Sequence, residues 1–234
     1  RRVPRLGWIL RDHEPRHSAV SDVYAYVGTA IAMQAAPTTQ GAMDSVWPPG
    51  TSALLAAAAT LDPTMRITSF AMAAASMLLP LLVAHTAALP APDERGRAVG
   101  RWALVLASLH AAYAHFATFL LSDFAFTLAV AAAVWACAMA AREESPWWRR
   151  GALATLAGAW AAVAIAVRGP ALPIAAIALA AWAVTCVRRG VARHLAFAIA
   201  PLCVVMATLV PLSARCAELN GGRACFASVN AAMN

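Results

Sequence analysis

Residues 141–170 read AREESPWWRRGALATLAGAWAAVAIAVRGP. A turn bearing Arg and Glu leads into two tryptophans and two more arginines. Residues 151–167 then run without a charge until Arg168-Gly169-Pro170. A run of this length, made helical, is what crosses the roughly 30 Å hydrocarbon core of a bilayer. Trp147 and Trp148 stand where an aromatic belt forms at the interface. The layout recurs along the chain. Apolar spans are read over 67–89, 102–121, 124–141, 151–167, 171–187 and 192–213, the fifth broken near its start by Pro170 and Pro173.

Composition agrees. The chain of 234 residues is 62% hydrophobic and 12% charged, about half the charge of a typical soluble domain. The net charge of +7 does not mark a nucleic-acid binder. All 18 basic residues are Arg, and half of them lie in short turns between spans rather than along one continuous basic face. The absence of Lys beside abundant Ala points to a GC-rich, bacterial source.

The turns give the orientation. Arg95, Arg97 and Arg101 fall in one, Arg142, Arg149 and Arg150 in a second, and Arg188, Arg189 and Arg193 in a third. The alternate connections, Leu121-Ser122-Asp123 and Arg168-Gly169-Pro170, hold only Arg168. The positive-inside rule places the Arg-rich turns in the cytoplasm. Asp123, Arg168, the N-terminal segment and the tail after Ser213 are then expected on the other side. Arg1, Arg2, Arg5, Arg11 and Arg16 oppose that placement, and an upstream span would override them. The chain opens on Arg1 and stops at Asn234 without a closing element, so it reads as a piece of a longer protein.

The expected architecture is all-α, a polytopic transmembrane helix bundle with an extracytoplasmic first loop carrying interfacial helices. Residues 1–64 form that loop, 65–213 the bundle of about six spans, and 214–234 the start of another extracytoplasmic loop. Within the first loop, residues 21–36 read as a helix stopped by Pro37. Trp47-Pro48-Pro49-Gly50 reads as a turn that no helix can include. The TSALLAAAATL that follows (51–61) is too short to span and fits an interfacial or re-entrant helix ending at Asp62-Pro63.

The order of these features resembles the GT-C superfamily of polytopic glycosyltransferases, in particular its dolichyl-phosphate-mannose protein mannosyltransferase-like branch. The residues carrying the resemblance are Asp22 with Tyr24 and Tyr26 behind it, then WPPGTSALLAAAATL. LLSDFAFTLAVAAAVWA and Arg168-Gly169-Pro170 follow. The tail from Asn220 to Asn230 loosely resembles the opening of that family's next outer loop. Two departures stand out. Relatives often carry two adjacent acids where this chain has Asp22-Val23, so a second carboxylate must come from Asp44 or Asp123. The Glu usual after Leu-Ser is Asp123 here.

The resemblance implies a sugar on a polyprenyl phosphate as donor, taken from the lipid bilayer and passed to an acceptor hydroxyl of unknown identity. It casts Asp22, Asp44 and Asp123 as catalytic candidates, with Asp22 as general base. Tyr26, Trp47, Pro48, Pro49, His115 and Arg168 become substrate-binding candidates, Arg168 facing the departing phosphate. The location implied is a bacterial inner membrane crossed several times, with the site on the non-cytoplasmic face. Nothing in the spacing demands a metal, though a divalent cation would fit. No nucleic-acid partner is expected.

Plainer readings stand beside each candidate. Asp22 and Asp123 could merely cap helices, Pro48-Pro49-Gly50 could be only a turn, and Arg168 could snorkel to the interface. His110 and His115 are five apart, a spacing that puts them on different helix faces, so packing outweighs a metal site. Cys137, Cys186 and Cys203 lie in spans as packing residues. Cys216 and Cys225, in the outer tail, are expected to form a disulfide. A polytopic transporter or a non-catalytic membrane scaffold is the rival to the enzyme. Transporters set their ionisable groups near the midplane on broken helices, whereas the acids here stand at helix ends.

The topology has a direct test. Single cysteines introduced at Ser145 and at Gly222 should label from opposite sides of the membrane. Labelling of both from one side would overturn the arrangement.

Overall fold

The computed structural model describes residues 20–35, 49–62, 66–91, 93–110, 122–142, 145–168 and 192–219. The fold is all-helical. Seven helices occur among these residues: α1 (Val20–Ala35), α2 (Pro49–Leu61), α3 (Arg66–Ala88), α4 (Glu94–Leu109), α5 (Ser122–Ala140), α6 (Trp147–Val167) and α7 (Ala192–Leu219). Three of them are long and apolar enough to cross a membrane, within Phe70–Ala88, Asp123–Ala140 and Trp147–Val167.

Burial separates a membrane bundle from a large soluble core. Only 6% of the apolar window of α3 is buried, and Phe70, Met77, Leu78 and Leu81 are exposed along it. In water a face of this kind would be an aggregation surface. In lipid it is the ordinary exterior of a spanning helix, most of whose backbone groups are bonded within the helix, the missing N–H of Pro80 aside.

Helix α6 is the centre, with 44% of its window buried. Its buried residues are nearly all small: Ala154, Ala157, Gly158, Ala161, Ala162 and Ala164, with Ile165 and Val167 at the end. Lipid tails are as apolar as Leu, so helices in a bilayer associate through close packing, and small residues let backbones approach. The tightest approach is to α7. A Cβ on Gly158 would stand 2.6 Å from both the Cα and the carbonyl oxygen of Pro201. Nearby, Ala161, Ala162 and Ile165 share a buried cluster with Ala129 of α5 and Val205 of α7.

The contacts fix directions. Ala140 at the end of α5 packs on Ala154 near the start of α6, and Arg150 Nε donates to the Ala140 carbonyl at 3.0 Å. The two helices are therefore antiparallel. Ala200 packs beside Ala154 and Val205 beside Ala161 and Ile165, so α7 runs parallel to α6. On the other flank, Trp135 Nε1 of α5 donates to His85 Nδ1 of α3 at 2.7 Å, which brings the C-terminal ends of α3 and α5 together. Arg95, Arg97, Arg101, Arg142, Arg149 and Arg150 thus lie toward one end of the bundle, which is also the end where α7, carrying Arg193, begins.

Several boundaries differ from expectation. Arg95, Arg97 and Arg101 are not in a loop. Helix α4 begins at Glu94, because Asp93 caps it through the Arg95 and Gly96 N–H groups at 3.0 and 3.1 Å. It ends at Leu109, with His110 leaving helical geometry, and the rest of the span expected over 102–121 lies outside the described residues. Pro49-Gly50 is not excluded from helix either. Pro49 opens α2, where its missing N–H and fixed φ are tolerated. Helix α7 continues past residue 213 to Leu219, so Cys216 falls on it, while Cys225 lies outside the described residues. The span expected over 171–187 also lies outside them.

Two glycines should respond oppositely to alanine. Gly158→Ala drives a methyl into the Pro201 backbone, and overpacking of this kind costs about 1–3 kcal/mol. Gly28 on α1 has open space where its Cβ would be, so Gly28→Ala should stabilise by about 0.5–1 kcal/mol. Thermal unfolding of the two variants in detergent checks the signs.

Candidate functional site

The end of the bundle opposite the arginine-rich turns is assembled from three helix termini. Arg168 caps the C-terminus of α6. Its N–H still bonds to the Ala164 carbonyl at 3.0 Å, while its own backbone has turned extended. Asp123 lies in the first turn of α5. Because α5 and α6 are antiparallel, these two ends meet, and Arg168 Nη1 forms an ion pair with Asp123 Oδ1. Each charge also suits its own helix, an anion at an N-terminus and a cation at a C-terminus. Both side chains are 40% exposed, so the pair is half in solvent. Among the described residues Asp123 is the one group paired with this guanidinium, which has five N–H donors in all.

The third terminus is the start of α2. A Cβ on Gly50 would stand 2.5 Å from both the carbonyl carbon and oxygen of Ala166, so only glycine lets α2 seat its first turn on the last turn of α6. Beside it, the Thr51 hydroxyl donates to the Val167 carbonyl at 3.4 Å in a buried contact. That carbonyl is among the last four of α6, which have no partner within their own helix. Ser52, the next residue, is fully buried, and its Oγ has no hydrogen-bond partner among the described residues. Buried hydroxyls are rarely left so. Asp62 closes the other end of α2. It is buried, and its Oδ2 accepts from the Thr68 N–H in the first turn of α3 at 3.1 Å.

Helix α1 is held on α2. Tyr26, Val27 and Ala30 form a buried cluster with Leu55 and Ala59, and Gln34 Nε2 donates to the Ala56 carbonyl at 2.9 Å. Tyr26, singled out from sequence as a substrate contact, is 2% exposed and serves this interface. Asp22 lies one helical turn before it on α1.

The expected residues therefore divide. Asp123 and Arg168 are brought into contact. Pro49 opens the helix that sits on Arg168's helix end, and Asp22 lies on the helix packed against it. Asp44, Trp47, Pro48 and His115 fall outside the described residues. Sequence reasoning missed Gly50, Thr51 and Ser52 as individuals. Their signal was present, since a Gly-Thr-Ser run directly after Pro-Pro combines close approach with hydroxyls able to bond helix ends. Among the described residues no group of three or more His, Cys, Asp or Glu could hold a metal ion.

The ion pair can be weighed by a double-mutant cycle. Asp123→Asn keeps the size and removes the charge, and Arg168→Gln removes its partner. Half-exposed pairs couple by about 0.2–1 kcal/mol, so the two changes together should cost less than the sum of each alone. Strict additivity in thermal unfolding would show that the pair contributes nothing to stability. No protein-family model, curated protein or solved structure matches the chain, so the likeness to GT-C glycosyltransferases rests on the residues quoted above.

Proposed function

We propose that the chain is part of a multi-pass membrane glycosyltransferase of the GT-C kind. It would move a sugar from a polyprenyl-phosphate donor to an acceptor hydroxyl on the non-cytoplasmic face of a bacterial inner membrane. The observation that carries the reading is the Asp123–Arg168 pair at a junction of helix ends, with the helix opened by Pro49-Gly50 packed against Arg168's own helix terminus. A phosphate arriving from the lipid meets such a junction at headgroup depth.

The chemistry follows from the side chains. The acceptor oxygen attacks the anomeric carbon and its proton passes to the Asp22 carboxylate. The bond from that carbon to the phosphate oxygen breaks, and the bonding electrons leave on the phosphate. Arg168 offers the unused part of its fork to that growing charge, a charge-assisted and geometrically specific contact. Asp123 orients the guanidinium from the other side, so its part is positioning rather than proton transfer. The position of the pair at helix ends also favours an interfacial enzyme over a transporter, whose ionisable groups stand near the midplane.

Asp22→Asn separates catalysis from a structural role. Asn keeps the size and most of the hydrogen bonding at this third residue of α1, whereas loss of a general base typically costs about 10²–10⁴-fold in rate. Transfer from a polyprenyl-phosphate sugar by the full-length protein should fall by at least about 100-fold, with folding unchanged. Arg168→Ala should also depress transfer. Near-normal turnover by a folded Asp22→Asn protein would remove Asp22 from the mechanism.

A further inference from the structure

Helix α4 has two unlike faces, and only one is used by the fold. Gly96 and Gly100 lie against α3. A Cβ on Gly100 would stand 3.0 Å from Ala88 Cβ and 3.1 Å from the Ala84 carbonyl oxygen. At 100° per residue, Ala98, Arg101, Trp102 and Val105 form a stripe on the opposite side. That stripe lines an open groove of ≈ 340 Å³. Its walls are apolar, and the small Ala98 leaves a notch between the larger side chains.

The charge at the groove is unspent. Arg97, one turn earlier, has Glu94 within 3.7 Å. Arg101 is exposed and has no ion pair or hydrogen bond among the described residues. Beside it Trp102 is 69% exposed. A cation, an indole and an apolar notch on one helical stripe, near the charged end of a membrane bundle, match the three zones of a lipid. Arg binds phosphate through its fork, Trp settles at the headgroup level, and the notch accepts the start of a chain. The positive charge discriminates as well, with Arg95 exposed on the same stripe one to two turns earlier: a zwitterionic headgroup brings its own cation to Arg101 and an anionic one does not.

We propose that this groove seats one anionic glycerophospholipid, its phosphate on Arg101 and the beginning of an acyl chain along Ala98 and Val105. The site lies toward the arginine-rich end of the bundle, away from the Asp123–Arg168 junction, and does not depend on the glycosyltransferase reading. If the arginine-rich turns face the cytoplasm, it draws from the leaflet whose negative surface potential favours such a lipid.

The test is native mass spectrometry of the purified chain in uncharged detergent, titrated with phosphatidylglycerol or phosphatidylcholine at equal concentration. Wild type should retain phosphatidylglycerol about fivefold better, the size expected of one surface arginine. Arg101→Gln should erase that preference, and Arg149→Gln, an exposed arginine at the same end outside the groove, should preserve it. Ala98→Leu fills the notch without touching the charge and should weaken retention of phosphatidylglycerol, with circular dichroism confirming an intact fold. Equal retention of both lipids by wild type overturns the proposal, as annular lipid only. Equal loss in Arg101→Gln and Arg149→Gln does so too, as diffuse charge, and so does wild-type retention by Ala98→Leu.

Discussion

Helix α6 can be approached at backbone distance, and the rest of the structure depends on that. Gly158 admits Pro201 of α7, and the last turn of α6 admits Gly50 of α2. Between these points the buried residues are almost all alanine. A helix with leucines at those positions would stand farther from its neighbours, and dispersion contacts, individually small, would thin along its whole length. In a bilayer no hydrophobic driving force between helices would compensate. Small residues thus hold α5, α6 and α7 together, and they also carry α2 onto the point where Arg168 emerges.

The electrostatics of the junction follows from that packing. Antiparallel neighbours necessarily place the N-terminus of one helix beside the C-terminus of the other. With α5 and α6 this puts a first-turn carboxylate next to a cap-position guanidinium, so each is stabilised by its own helix and by its partner. Ionisable groups near a membrane cost about 2.5–3.5 kcal/mol at mid-bilayer and less toward the interface. The Asp123–Arg168 pair lowers that cost without fully burying either group. Thr51 adds a hydroxyl to the carbonyl end of α6, where the helix cannot satisfy itself.

Much of the fold was legible because its signals are long. The charge-free runs over 67–89, 124–141 and 151–167 became α3, α5 and α6 to within a few residues. The errors occurred where a short-range rule competed with a longer one. Pro-Pro-Gly reads as a break, yet a proline at the first helical position is compatible with a helix. Charge marks the outside of a span, so Arg95 to Arg101 read as a loop, whereas Asp93 starts the helix there. The contact between Asp123 and Arg168 was legible only as a shared side of the membrane. Which atoms meet depends on the antiparallel register of α5 on α6, and that register is set by alanines that look alike in sequence.

What distinguishes the junction from the bundle's other polar contacts is incompleteness. Trp135 donates to His85, and the bond joins α3 to α5. Arg150 closes onto the Ala140 carbonyl and fastens the end of α5. Asp62 takes up an N–H from the first turn of α3. Each joins two elements, and a structural role accounts for it. The junction differs. Among the described residues Arg168 pairs with Asp123 alone, half in solvent, and Ser52 is buried beside the same helix end with no hydrogen-bond partner for its hydroxyl. Buried groups left unpaired are costly in a medium of low dielectric, and purely structural contacts have no reason to retain that cost. A ligand that supplied the missing partner would remove it, which is what the proposed site requires. The unpaired Ser52 hydroxyl, beside the helix end that carries the Asp123–Arg168 pair, is therefore the physical ground on which the proposed site is placed at this junction rather than at the polar contacts elsewhere in the bundle.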